Sequence, residues 1–423
     1  MAEEVIVTHG RSHLSGTVRV SGAKNSALKL IAASLLGQGK TILHNVPNIS
    51  DIDIMIEVLR SLGATVERTD HTIAIDTANA TGFETPYELV SKMRASISIL
   101  GPLIARFGKA RVAMPGGCKI GARKIDIHLA VLEALGVSFA NDHGYLYAST
   151  PNGLHAAKVF LDFPSVGATE NMLMASITAK GTTVIDNAAR EPEIEDLANM
   201  LNEMGAQVQG AGSSTIVVQG VELSDLHPCE HWVVGDRIEA GTFLTAGALL
   251  GGPVTVEGID PDFLRTVLMK LEEMGVHVST TQDSITVART EPLHATDIQT
   301  LPHPGFPTDL QAQFSLLAAF AQGCSVVSEN IFENRFMFAS ELNRMGSDIS
   351  LDGHHALIRG VSNLQGAPVS SPDLRGGAAL VIAGLAAEGE TRIHDIYHID
   401  RGYEDYVGKL RSLGASVERI EVL

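Results

Sequence analysis

Basic charge is scarce: 31 Lys and Arg stand against 49 Asp and Glu in 423 residues, a formal net charge of −18. That balance argues against a general nucleic-acid binder, whose affinity for phosphate backbones comes from clustered Lys and Arg. It also opposes adsorption to an anionic membrane surface. No apolar run of roughly 18 residues occurs, and Met1-Ala2-Glu3-Glu4 lacks the basic start and apolar stretch of an export signal. The expectation is a cytoplasmic protein without membrane or nucleic-acid partners. Three cysteines, Cys118, Cys229 and Cys324, are too few and too scattered for a disulfide framework or a Cys-based zinc site. No Walker A phosphate loop, Gly-x-Gly-x-x-Gly after a strand, His-Glu-x-x-His or Gly-x-Ser-x-Gly is present. The 16 histidines show no ligand spacing, and His303, His354 and His355 read as solvated loop residues, so no metal or cofactor is expected.

What the chain does have is an internal repeat, which decides the fold before any single motif. The phrase Leu-x-x-Leu/Met-Gly-small-x-hydrophobic occurs at Leu59–Val66, Leu132–Phe139, Leu201–Val208, Leu271–Val278, Leu342–Ile349 and Leu410–Val417. Its glycines, Gly63, Gly136, Gly205, Gly275, Gly346 and Gly414, are spaced 73, 69, 70, 71 and 68 residues apart. The pattern predicts a helix with one Leu pair facing a core, a left-handed glycine just past its end, then a strand. An earlier helix, such as 26–36 or 241–250, and short alternating strands, such as 72–75 or 215–218, complete a βαβαββ unit.

The sixth unit ends at Leu423 without its final strand, whereas Glu4–His9 has the pattern of that strand. The N-terminal 20 or so residues are therefore expected to complete the last unit. Six units divide most simply into two three-unit domains, residues 21–230 and residues 231–423 with 1–20.

Residues that interrupt this scaffold are the functional candidates. In Ser21-Gly22-Ala23-Lys24-Asn25-Ser26, an ammonium beside a helix start is an anion site or a solvated lysine at a helix cap. Cys118 in Met114–Arg123 has Lys119 and Arg123 near it and a glycine-rich setting, conditions that make a thiol reactive; the alternative is a loop cysteine of no consequence. Cys324, after an apolar run and before a strand, is expected to be buried, and Cys229 lies in a polar linker. Arg94, Arg335, Arg375 and Arg401 stand in oddly apolar or glycine-rich contexts, as a pocket for a polyanion or as ordinary surface and paired residues. Asp309 and Asp373 precede helices and are either caps or acceptors for a substrate hydroxyl.

Taken together, Ser-Gly-Ala-Lys-Asn-Ser (21–26), Pro-Gly-Gly-Cys-x-Ile-Gly-Ala-Arg (115–123), Ser-Val-Gly-Ala-Thr (165–169), Asn-Ala-Ala-Arg-Glu-Pro-Glu-Ile (187–194), Phe-Pro-Thr-Asp-x-Gln-Ala-Gln (306–313), Phe-Glu-Asn-Arg-Phe-Met (332–337) and Tyr-His-Ile-Asp-Arg-Gly-Tyr-Glu (397–404) closely resemble the enolpyruvyl transferases. The resemblance runs along essentially the whole chain. It implies two inside-out α/β barrel domains of three repeats each, with an active site in the cleft between them. It also implies transfer of the enolpyruvyl group of phosphoenolpyruvate to the 3′-hydroxyl of UDP-N-acetylglucosamine, releasing phosphate and opening peptidoglycan synthesis. On that resemblance Cys118 donates a proton to the methylene carbon of phosphoenolpyruvate and Asp309 is the base for the sugar hydroxyl. Lys24, Asn25, Arg123 and Arg401 hold the phosphate and carboxylate, Arg335 and Arg375 complete the cationic lining, and Asp373 orients catalytic groups. Asn25, Arg94, Arg123, Lys124, Ile125, Asp126, Ile127, Ser165, Val166, Asp309 and Ile331 contact the nucleotide sugar. One departure is Phe163, where some members carry a basic residue near the uridine diphosphate. The alternatives are the sister transferase acting on shikimate 3-phosphate, which lacks the cysteine loop, and a catalytically silent copy that binds a UDP-sugar. The residues leave oligomeric state open.

Overall fold

The computed structural model describes residues 3–90, 93–113 and 125–422. The chain forms two compact units, one running from Gly22 to Val234 and the other combining the segment up to Ser21 with everything from Gly235 onward. Repeat counting set the second boundary at 230/231, but Glu230–Trp232 pairs in parallel with Lys40–His44, which keeps the chain in the first of these units as far as Val234.

All six signature glycines have positive φ, between 87° and 101°. Each follows a helix end directly, as Gly63 follows Ser50–Ser61 and its Leu62 cap. Only glycine takes that conformation without a Cβ penalty, so the repeat marks helix termination, as expected. In the third repeat, parallel strands Lys158–Phe160 and Thr182–Asp186 flank helix Val166–Ser176. Helix Pro192–Glu203 and antiparallel strands Gln207–Gln209 and Thr215–Gln219 then finish the sheet.

Among the described residues each unit holds three such sheets. Glu3–His9 lies between Glu390–His394 and Val417–Val422 and pairs antiparallel with both, so the N-terminal strand does close the sixth repeat. The strand after it departs from expectation. Leu14–Arg19 pairs in parallel with Gly251–Glu257 of the fourth repeat, while Glu230–Trp232 takes the corresponding place in the sheet of the first repeat. The two leading strands are thus exchanged where the chain changes unit. Alternation predicts a strand but not its neighbour, because pairing is decided by tertiary packing.

Each unit has its own apolar core. In the Gly235-onward unit, helices Arg237–Leu250, Gln311–Phe320 and Leu374–Ala386 are buried almost all round and pack on one another. Apolar residues lie on all their faces, with a few buried polar side chains such as Glu239, Gln313 and Arg375 among them, which suits enclosed helices and not an amphipathic surface helix. No described helix is long and apolar enough to cross a membrane.

Candidate active site

In the Gly235-onward unit, three turns converge on one carboxylate. Asp309 sits in the 3-10 turn Thr308–Leu310 that leads into the buried helix Gln311–Phe320. Its Oδ1 accepts a short hydrogen bond from Arg335 Nη2, and its Oδ2 lies 3.6 Å from Arg375 Nη2. Both arginines are buried, 4% and 3% exposed. Arg335 Nη1 and Arg375 Nε and Nη1 are enclosed without a hydrogen-bond partner. A buried guanidinium N–H left unpaired is costly, so two of them beside a shared carboxylate form a site primed for a multi-oxygen anion.

Burial alone would weaken the Arg375 charge. Tyr403 beside it, then Asp309 and Asp236, outweigh burial and hold the proton more tightly than usual. The ring of Tyr403 lies 5.3 Å from that guanidinium, and its hydroxyl lies 2.9 Å from Thr242 Oγ1. Burial raises the Tyr403 phenol despite Arg375.

Asp373 caps helix Leu374–Ala386, accepting from the amides of Arg375 and Gly376 at 2.8 and 3.0 Å. Its carboxylate therefore fixes the backbone of Arg375. Arg401 ends the 3-10 helix Ile396–Arg401 and is half-buried. Ile331 donates its amide to Glu329 Oε1 at 2.8 Å. Glu329, 2% exposed, also accepts from Phe332 N at 3.0 Å and Thr308 Oγ1 at 2.8 Å. It thereby ties the turn before Arg335 to the turn of Asp309. Nothing in the sequence singles out Glu329, because a Glu after a strand reads as a solvated end.

In the Gly22–Val234 unit, Lys24 opens helix Lys24–Ala33 and is almost enclosed, with Nζ 2.7 Å from Asp51 Oδ2. Asn25, half-buried, gives its carbonyl to Lys29 Nζ at 3.4 Å, and Lys29 pairs with Glu170 at 2.8 Å. Full burial pushes the Glu170 carboxyl up to about 7 against the pull of Lys29. Asp51 and Glu170 are invisible to sequence reasoning, since an acid in a first helical turn looks like a dipole partner and pairing across helices leaves no local signature.

Three expected nucleotide-sugar segments come together in this unit. Ser165 caps Val166–Ser176, accepting from Ala168 N at 3.4 Å. A Cβ on Gly167 would stand 2.8 Å from His128 Cε1, so glycine lets that helix approach Asp126–Ala134. Asn171 then joins His128 Nδ1 at 2.9 Å and the carbonyl of Ile97 at 3.2 Å, linking in the 3-10 helix Arg94–Ile99. Ile125 and Ile127 are half-buried and Asp126 is exposed at the start of helix Asp126–Ala134. Phe163 is 40% exposed, and its carbonyl accepts from Ser165 N at 2.7 Å. Cys118, Arg123 and Lys124 lie outside the described residues, as does the side chain of Arg94.

The other two cysteines differ from each other. Cys324 is exposed, contrary to expectation, because it starts strand Cys324–Ser328 on the outward side of its alternation. Cys229 is half-buried, and burial with Glu203 nearby pushes its thiol up to about 12.

Comparison with known proteins shows the family. The chain is 52% identical over 421 residues, all of both chains, to "UDP-N-acetylglucosamine 1-carboxyvinyltransferase" of Corynebacterium jeikeium (strain K411). It is 51% identical over 406 residues, 96% of this chain and 97% of the relative, to "UDP-N-acetylglucosamine 1-carboxyvinyltransferase 1" of Caldanaerobacter subterraneus subsp. tengcongensis. The enolpyruvyl transferase NikO from Streptomyces tendae superposes with a TM-score of 0.90 at 27% identity, covering all of both chains. EPSP synthase from Acinetobacter baumannii, at 18% identity and a TM-score of 0.76 over 99% of this chain and all of that one, shares the fold. The model of the EPSP synthase (3-phosphoshikimate 1-carboxyvinyltransferase) family matches residues 8–410, and the chain belongs to that family of enolpyruvyl transferases.

Proposed function

We propose that this chain transfers the enolpyruvyl group of phosphoenolpyruvate to the 3′-hydroxyl of UDP-N-acetylglucosamine and releases phosphate. The observation that carries the reading is half identity, end to end, with relatives named for that reaction. The acid cluster around Asp309, with its two buried guanidiniums, supports it from the side of chemistry. Phosphoenolpyruvate carries a phosphate and a carboxylate, and fixed cations replace the water that both must shed. Arg335, Arg375, Arg401, Arg123 and Lys24 supply those cations. Arriving substrate oxygens compete with Asp309 for the guanidiniums and with Asp51 for Lys24, which releases lone pairs of Asp309 toward the sugar hydroxyl.

In the addition step the Cys118 thiol gives its proton to C3 of phosphoenolpyruvate while the 3′-oxygen bonds to C2 and its proton passes to Asp309. A tetrahedral phospho-ketal results. In the elimination step C3 returns a proton to the Cys118 thiolate, the C2–O bond to phosphate breaks as Asp309 gives its proton to the departing phosphate, and the C2=C3 double bond reforms as the enol ether of the sugar. A weak hydroxyl nucleophile gains most from proximity and orientation. The segments around Ser165, Ile125–Ile127 and Arg94 hold the nucleotide sugar in place, with Asn25 and Ile331. Asp373 keeps Arg375 aimed. A peptidoglycan precursor made from water-soluble substrates fits work in the cytoplasm and a part in wall growth, cell shape and division.

Phosphate release by the full chain tests this reading, with phosphoenolpyruvate plus either UDP-N-acetylglucosamine or shikimate 3-phosphate. Release is expected with the nucleotide sugar alone. Release with shikimate 3-phosphate, or with neither acceptor, overturns it.

A further inference from the structure

Lys24 and Asn25 are held from both sides, and both holds lead to one buried carboxylate. On the N-terminal side, Ala23 donates its amide to the carbonyl of Val234 at 2.7 Å. On the C-terminal side, Ser26 Oγ donates a short hydrogen bond to Asp196 Oδ2. The amide of Val234 itself points to Asp196 Oδ2 at 3.4 Å. Asp196, on helix Pro192–Glu203 and 3% exposed, therefore anchors the first turn of Lys24–Ala33 and also the segment that follows strand Glu230–Trp232.

The other oxygen of Asp196 belongs to His231. Nε2 lies 2.9 Å from Asp196 Oδ1, and Nδ1 lies 2.7 Å from Glu203 Oε2. A neutral imidazole donates from one nitrogen only and would turn a lone pair toward the second carboxylate; the imidazolium donates to both. The ring is enclosed, 6% exposed, so it has no water to turn to instead. Burial opposes its charge, but Asp196 and then Glu203 outweigh burial and raise its affinity for the proton. The same helix thus supplies both carboxylates, and a charged His231 completes the anchor.

We propose that His231 is a positioning residue for the transfer reaction: its imidazolium fixes Asp196, and Asp196 fixes the two attachments that bracket Lys24 and Asn25. The proposal rests on the assignment of Lys24 to the phosphoenolpyruvate site. Loss of the charge lets Asp196 rotate and slackens the first helical turn, and misplacement of a binding group by about 1 Å costs up to roughly 100-fold.

Steady-state kinetics of His231→Gln, Ser26→Ala and Lys24→Ala test this in the full chain, with the KM for phosphoenolpyruvate read separately from kcat. His231→Gln is expected to raise that KM about tenfold and Ser26→Ala about threefold, with kcat and the KM for UDP-N-acetylglucosamine changed less. In the Lys24→Ala background, His231→Gln is expected to add nothing further. Trp232, the sole tryptophan and the next residue, reports by its emission whether the strand is intact. Should His231→Gln not fold, Ser26→Ala decides by the same criterion. If Lys24→Ala raises the KM and neither other variant does, the positioning role is wrong while the site stands. If Lys24→Ala leaves the KM unchanged, the site assignment and the positioning role both fall.

Discussion

The two units hold their candidate cations in opposite ways. In the Gly235-onward unit, Arg335 and Arg375 share the single carboxylate of Asp309 and keep three buried nitrogens without hydrogen bonds. In the Gly22–Val234 unit, Lys24 has Asp51 at 2.7 Å, and Lys29 has Glu170 at 2.8 Å. The difference follows from the side chains. A guanidinium has five donors in a planar fork, so it can satisfy one carboxylate and still offer N–H groups to a ligand. An ammonium is a compact point charge, and burying it demands a full counter-ion. The guanidinium pair therefore keeps spare buried donors while it shares Asp309, whereas the enclosed ammonium is already matched by a carboxylate.

The comparison can be broken at its strongest point by Arg375→Ala. Removing a buried cation aimed at the reacting anion is expected to lower kcat/KM for phosphoenolpyruvate by about 100- to 1,000-fold. A fall of less than tenfold would mean that the enclosed guanidiniums serve only Asp309. A smaller effect sharpens the other half. Asp51→Asn removes the carboxylate charge 2.7 Å from the enclosed Lys24 ammonium, which is expected to destabilise the fold by about 3 kcal/mol by analogy with other broken buried pairs. Because phosphoenolpyruvate supplies the missing anion, it is expected to raise the melting temperature of Asp51→Asn more than that of the unaltered chain. Equal shifts in thermal scans would show that the substrate does not replace Asp51.

The fold was legible in the sequence as far as local rules reach. Six glycines at nearly equal spacing announce six helix ends, and each adopts the left-handed conformation that the phrase requires. The unfinished sixth repeat points to Glu3–His9 as its missing strand, which pairs there. The N-terminal 20 or so residues were expected to complete the last unit, but Leu14–Arg19 joins the fourth repeat's sheet, since a short strand pattern carries no address. The site divides along the same line. Arg335 and Arg375 stand out by their apolar or glycine-rich contexts and Asp309 as a carboxylate before a helix, and the structure joins the three. Their supports, Glu329 beneath Asp309 and Asp51 beneath Lys24, are ordinary acids in ordinary places until folding brings them to a cation or a turn. His231 was hidden for another reason: it stands among 16 histidines with no ligand spacing, and only tertiary contact sets two carboxylates against its ring.

The proposed function has the buried guanidiniums and Lys24 act on the same phosphoenolpyruvate. A double-mutant cycle on kcat/KM, using Lys24→Ala, Arg375→Ala and the pair, measures this directly. Groups that grip one small anion couple, so the double variant is expected to differ at least about fivefold from the product of the single effects, about 1 kcal/mol of interaction. Single effects that multiply without a remainder would mean that the two cations serve separate ends, and the account would be wrong.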